Sequence, residues 1–361
     1  MSVSNENKWM SRVKCSPEER LVFLRQLSIM FDAGVPIVQA LDTLGNNHYN
    51  ERFAEAVQEM SKKVGEGFLF SRTLQFFPKL FNPVHVAMAE TGERTGTLAE
   101  SLHTVSDWGE RDLRLFRDVK GALTYPVVVL TVAFALTMLL FLTVVPGFVS
   151  MFEEQRMELP TLTKLVVAFT NFVTQPGSWI IGTAACILLY LEFRRILRTP
   201  KGALSVYRSV LLIPGVGSLL VTATSARYSG VLGTLLNSGL DLLTALKLSG
   251  QASGSPMFRE DYKRLQEDIQ DGLSLATGYS NRPDIYPPLL CEMTAVGEET
   301  SRLAQSLVES SNFFNLKASS QIEALSAALE PLLLTFVSVL VGTILLAIIL
   351  PLYGFLNQLG L

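Results

Sequence analysis

The chain repeats itself. Gly34, in FDAGVPIVQAL, stands 205 positions before Gly239, in LNSGLDLLTAL, and the same offset pairs Ala40 with Ala245, Leu41 with Leu246, Gly67 with Gly272 and Pro83 with Pro288. It goes on to pair Met88 with Met293, Gly92-Glu93 with Gly297-Glu298, Leu98-Ala99 with Leu303-Ala304, Pro126 with Pro331 and Pro146 with Pro351. Glycine and proline mark where a backbone turns, stops or restarts. Holding them in register over more than a hundred residues without a gap requires one fold built twice.

Each copy ends in apolar sequence. No Asp, Glu, Lys, Arg or His lies between Lys120 and Glu153, and Val127 to Val145 is a continuous apolar run. At about 1.5 Å per residue such a run covers roughly 28 Å, one hydrocarbon core. No charged side chain follows Glu330, and Leu332 to Leu350 is a second run of this kind. A third candidate, between Lys164 and Glu192, is interrupted by Pro176 and Gly177, leaving Ser178 to Leu191 and its flanks. With 48% hydrophobic and 17% charged residues, against about 25% charged in soluble domains, the chain reads as a helical membrane protein. Disorder is excluded. A net charge of −3 offers no basic surface for phosphates, so nucleic acid is not an expected partner. The start, MSVSNENKWMSRVKC, has no apolar run, and no cleavable signal peptide is expected. Cys15, Cys186 and Cys291 are far apart in no metal-ligand spacing, so no disulfide framework is expected.

Basic residues set the orientation. Arg111, Arg114, Arg117 and Lys120 precede the first run, and Arg194, Arg195, Arg198 and Lys201 follow the interrupted middle one. The segment between them holds Glu153, Glu154, Arg156, Glu158 and Lys164, so both basic ends are expected inside and the short link outside. The expected order is a tail 1–17, a cytoplasmic helical domain 18–120, a span 121–148 and an external link 149–175. A second span 176–195, a second cytoplasmic helical domain 196–330, a third span 331–356 and an external tail 357–361 complete it.

Within the copies the punctuation is helical. Ser16-Pro17-Glu18-Glu19 is a capping box with proline at the first helical position. Gly34, like Gly239, is placed to end a helix as a left-handed cap. Pro36 restarts a helix that Gly45-Asn46 stops, and Phe53, Val57, Met60 and Val64 form one stripe closed by Gly65. Asn82-Pro83 opens a helix expected to run to Gly92. Thr97-x-x-Glu100 then opens one through Leu98, Leu102 and Val105 to Trp108 and on towards the membrane. No segment alternates with period two, so each domain is predicted to be an all-α bundle of about six short helices.

The most repeated signature is Met88 to Leu98, echoed as Met293 to Leu303. It is read as a helix stop followed at once by a helix start, with Gly92 and Gly297 supplying the turns. Glu93 and Glu298 then sit at exposed turns before a positive helix N-terminus, with Glu90 and Glu299 beside them. Two roles are open: capping within the bundle, or presenting a carboxylate to a partner's basic residue or a divalent cation. On an exposed turn, Glu→Ala is expected to cost the fold at most about 1 kcal/mol. His48, His85 and His103 form no H-E-x-x-H and read as surface or capping residues. No G-x-x-x-x-G-K-[ST] phosphate loop is present.

These residues resemble the inner-membrane platform proteins of type II secretion and type IV pilus assembly (the GspF/PilC type), over about residues 18–356. The likeness is carried by Ala33 to Leu41, Gly92 to Leu98, Pro214, Gly217, Ala226-Arg227-Tyr228, and by Tyr125-Pro126 and Glu330-Pro331 at the span entrances. The chain departs from the pattern at Ser301, where the family usually has a second glycine. The resemblance implies a protein that is not an enzyme and needs no cofactor, seated in the bacterial inner membrane with its N-terminus in the cytoplasm. It implies contacts with a hexameric assembly ATPase, with the transmembrane helices of pilins or pseudopilins near Pro126 and Pro331, with other inner-membrane assembly proteins and with further copies of itself. The two cytoplasmic domains would act as two arms, the first, held by one span, being the freer and the main ATPase contact. The equivalent scaffold of a DNA-uptake or archaellum-like machine, or a transporter subunit, is the alternative.

Overall fold

The computed structural model describes residues 9–46, 50–144, 147, 168 and 176–358. The external link 149–175 (residue 168 apart), Val145, Pro146, His48 and the end of the tail beyond 358 lie outside the described residues. Among the described residues every regular element is a helix. The first copy comprises α1 (Pro17–Asp32), α2 (Ile37–Asn46), α3 (Glu51–Gly65), α4 (Phe70–Leu74), α5 (Pro83–Thr95) and α6 (Leu98–Leu139), the last prolonged by a π-helical turn, Leu140–Val144. Then come α7 (Pro176–Arg198) and α8 (Pro200–Leu211). The second copy is α9 (Val216–Asn237), α10 (Leu242–Ala252), α11 (Pro256–Gln270), α12 (Leu275–Ser280), α13 (Pro288–Glu299) and α14 (Leu303–Gln358).

The offset read from the glycines governs the coordinates. Helices α3 and α11 begin and end 205 positions apart, α1 and α9 end at that offset, and α6 and α14 begin at it. Gly34 and Gly239 take φ of +77° and +84° just past α1 and α9, the left-handed region where a side chain costs about 1–2 kcal/mol. Local caps agree with local sequence. Ser16 Oγ accepts the Glu19 amide at 3.0 Å while the Ser16 amide donates to Glu19 Oε2 at 2.7 Å. Thr97 departs from expectation: its hydroxyl meets that of Thr95 at 2.6 Å.

The chain divides into two compact units, Met1–Asp118 with Tyr207–Gln321, and Val119–Val206 with Ile322–Leu361. The two arms expected from the sequence are therefore a single body, because the helical parts of both copies share one unit and one continuous hydrophobic core. The cores differ in chemistry at matched positions. The first copy buries Phe23, Ala56, Leu74, Phe77 and Phe81. Their counterparts at the same offset are Tyr228, Asp261, Tyr279, Arg282 and Tyr286. The Tyr228 and Tyr279 hydroxyls meet at 2.9 Å, Tyr286 donates to Asp261 Oδ2 at 3.0 Å, and Arg282 Nε reaches Asp261 Oδ1 at 3.1 Å. Burial raises the Asp261 pKa, and Arg282 opposes that shift. Burial also differs along the first helix of each copy. α1 buries only Phe23, Leu24, Leu27 and Ser28, one stripe, whereas α9 is buried at nearly every position from Thr222 to Leu235.

The second unit holds the apolar ends of α6 and α14, among the described residues the two helices long and apolar enough to cross a membrane. Val127, Phe134, Leu136, Leu334 and Phe336 are exposed there, as lipid-facing side chains would be. Thr131 and Thr335 return their hydroxyl protons to the Val127 and Pro331 carbonyls at 2.7 and 2.8 Å, so neither donor needs water. Helix α7 begins at Pro176, where the middle apolar run is interrupted.

Candidate functional site

The paired glutamates serve helices far from them in sequence. Helix α4 starts after Leu69, which offers no side-chain cap. Its first amides, Phe70 and Ser71, donate to Glu93 Oε1 at 2.5 Å and Oε2 at 3.1 Å. In the second copy the Leu275 and Ala276 amides donate to Glu298 at 2.7 and 3.0 Å. Both glutamates are half-buried rather than exposed, and each satisfies two amides that a helix N-terminus leaves without an intrahelical partner. Glu90 and Glu299 are exposed on the same helices. Among the described residues no group of three or more His, Cys, Asp or Glu is placed to hold a metal ion.

Gly92 and Gly297 are not the turns. Both lie inside helices, α5 and α13, and the left-handed residues come four positions later, Gly96 at φ +76° and Ser301 at φ +56°. Both turns thus use a left-handed residue at the matched position, although serine replaces glycine in the second. Gly92 and Gly297 instead permit close crossing. A Cβ on Gly92 would lie 2.7 Å from Ser101 Oγ and 2.8 Å from Leu98 Cα, and one on Gly297 2.9 Å from both Leu303 Cα and Ser306 Cβ. Pro126 and Pro331 lie within α6 and α14. Lacking an N–H, they leave the carbonyls of Ala122 and Ala327 without a helical donor at matched positions.

The seam between the copies brings together residues the motifs did not. Arg227 Nε donates to Asp112 Oδ1 at 2.6 Å, Arg111 to Asn312 Oδ1 at 2.9 Å, and Ser319 Oγ to Asp118 Oδ2 at 3.1 Å. Helix α10 packs on α5. Beside these contacts lies a cleft of about 330 Å³ lined by Arg20, His85, Trp108, Asp112, Phe116 and Arg227 among others. Arg227 was legible only as part of Ala226-Arg227-Tyr228; its partner, 115 positions away, carried no signal in sequence.

His85 caps α5 jointly with Asn82. Asn82 Oδ1 accepts the His85 amide at 3.0 Å, and His85 Nδ1 lies 3.3 Å from the Asn82 amide. Burial, with Arg20 adding repulsion, lowers its pKa from 6.5 to about 3. The folded state thus keeps the ring neutral between those values while the unfolded chain protonates it. Stability from this group is complete above pH 6.5 and falls by about 1.4 kcal/mol per pH unit below it. Replacing His85 by leucine, the residue at the matched position 290, should flatten the acid side of a stability–pH curve. An unchanged slope would refute this assignment. Burial pushes the Cys15 thiol up to about 11.

The family described as "Type II secretion system (T2SS), protein F" matches the chain twice, over residues 23–146 and 228–351, two segments again 205 positions apart. The chain is 28% identical over 352 residues to the type IV pilus assembly protein PilC of Pseudomonas aeruginosa, covering 96% of this chain and 92% of that one. It is 30% identical over 334 residues to PilC of Myxococcus xanthus, covering 92% and 79%. To the type II secretion system protein F of Pseudomonas aeruginosa it is 27% identical over 344 residues, covering 95% and 84%.

Proposed function

The chain belongs to the type II secretion system protein F family, and from that membership we propose that it is the inner-membrane platform of a type IV pilus or type II secretion machine. In this reading it couples a cytoplasmic hexameric ATPase to the insertion of pilin or pseudopilin subunits into a growing fibre. It acts as structure and not as catalyst. The observation that carries the reading is the repeated match, in which each copy joins a helical bundle to an apolar helix that can meet pilin helices in the bilayer. A chain without a phosphate loop of its own transmits work only through a nucleotide-hydrolysing partner, and the fused unit formed by both copies is the part large enough to meet one. Three spans, with the N-terminus inside and the C-terminus outside, complete the proposal.

Two measurements test it together. Reporter fusions after residues 60, 160, 250 and 361 should read inside, outside, inside and outside; an inside signal at 361 refutes three spans. Purification in mild detergent should bring down an assembly ATPase and a pilin-like subunit, and deletion should abolish fibre formation or secretion. Intact fibre and secretion in the deletion strain would remove the platform role.

A further inference from the structure

The seam inside the chain has a hole and a knob, and each recurs unused elsewhere on the same unit. In the second copy, a Cβ on Gly230 would meet Ser311 Oγ at 2.6 Å and Trp108 Cδ1 at 3.5 Å. Trp108 of the first copy therefore packs where α9 and α14 cross, and it is only 9% exposed. The matched place in the first copy is where α1 and α6 cross, and there Arg25 stands for Gly230 and Ser106 for Ser311. Arg25, bound to Asp107 at 2.5 Å and 3.1 Å from His103, stands where glycine closes the other crossing. A cleft of about 240 Å³ is left there, lined by Leu21, Val22, Arg25, Gln26, Ser106 and Glu110. Ser311 Oγ donates to the Ala226 carbonyl at 2.7 Å, whereas Ser106 Oγ is buried without a partner.

The knob recurs as well. The counterpart of Trp108 is Phe313, and the counterparts of Arg111 and Asp112 are Leu316 and Lys317. Phe313 is 51% and Leu316 74% exposed. Lys317, Glu323 and Glu330 still follow them, so these two side chains lie ahead of the uncharged run. Around the empty cleft, Val22 and Ile29 of α1 are 50% and 57% exposed. The contact within the chain is one-directional, with α6 of the first copy lying on α9 of the second. A two-fold relation would put the matched residues Lys317 and Leu316 on Val22 and Asp107, yet Val22 and Leu316 stand exposed.

We propose that a second copy of this chain covers this face by repeating the internal contact: Phe313 and Leu316 of one chain seat in the α1–α6 cleft of the next, against Val22 and Arg25. Lys317 then stands where Asp112 stands in the internal seam, close to the carboxylates of Asp107 and Glu110. The contact is heterologous, joining different surfaces of the two chains, and it extends past two copies unless it closes. It rests on the platform reading and specifies the contact between copies that the family resemblance implies, yet its test needs neither fibre nor ATPase.

The test uses two full-length chains with different tags, each with Cys15, Cys186 and Cys291 replaced by alanine. One carries Val22→Cys and the other Lys317→Cys, and membranes from co-expressing cells are treated with a short bismaleimide. A crosslinked product bearing both tags is expected, with none when either variant is expressed alone. Adding Phe313→Asp or, separately, Leu316→Asp to the second chain should lower its yield at least tenfold; both sites are exposed, and unchanged helical circular dichroism checks the fold. Crosslinking of Lys317→Cys only to itself, no product between chains, or a yield indifferent to both aspartates overturns the proposal. If the crosslink forms while the deletion strain keeps its fibres and secretion, the platform reading falls and this interface stands.

Discussion

Gly92→Ala should destabilise the folded unit by about 3 kcal/mol, and Gly297→Ala by a comparable amount, the upper range for forcing a methyl group into a packed crossing. In the first copy the obstacle includes backbone, Leu98 Cα at 2.8 Å, and in the second Leu303 Cα at 2.9 Å. Neither can swing aside as a flexible side chain would, so α5 must part from α6, or α13 from α14. The comparison that isolates the cause is Gly96→Ala. Gly96 has φ +76° and nothing within 4 Å of its added Cβ, so alanine there incurs conformational strain alone, about 1–2 kcal/mol. Thermal unfolding of the detergent-solubilised chain should rank Gly92→Ala well below Gly96→Ala. The reverse order would mean that the left-handed turn, and not the crossing, is the constraint on this motif.

Glu93→Ala should remove about 2–3 kcal/mol, well beyond what an exposed turn would predict. The substitution deletes two charge-assisted hydrogen bonds and leaves the Phe70 and Ser71 amides at a helix start with no acceptor. Glu298→Ala should match it through Leu275 and Ala276. Glu93→Gln keeps one carbonyl oxygen and should recover part of the loss. Hydrogen exchange supplies the local readout: the Phe70 and Ser71 amides should lose protection in Glu93→Ala more than those of α3. A loss below about 0.5 kcal/mol with protection unchanged would return Glu93 to a role outside the fold.

Much of this architecture was legible because glycine, proline and capping residues act within a few positions of themselves. The 205-residue offset, the Ser16 box, the Asn82 cap and the left-handed Gly34 and Gly239 are all local decisions, and the coordinates follow them. The misreading at Gly92 has a definite source. A glycine is required either by a positive φ or by an approaching backbone, and its letter is the same in both cases. With two glycines four positions apart, only the position of α6 tells that Gly96 has the first reason and Gly92 the second. Glu93, expected on an exposed turn after a helix ending at Gly92, lies inside α5, and its work is done on amides 22 and 23 positions upstream, beyond the reach of a capping rule written in steps of three. The fusion of the two copies into one unit rests on pairs such as Arg227 with Asp112, which spacing does not announce.

The unequal burial of α1 and α9 bears on the order in which the chain is made. A growing chain presents the first copy while the second is still being translated, and α1 needs cover along one stripe only, which its own bundle supplies. Helix α9 needs cover on nearly every side, part of it from Trp108 on a helix finished long before. The seat for the second bundle therefore exists when that bundle emerges, and it completes its core against a neighbour already built. Reversing the two copies in the gene would preserve every pairwise contact on paper while presenting the most demanding helix before anything could enclose it.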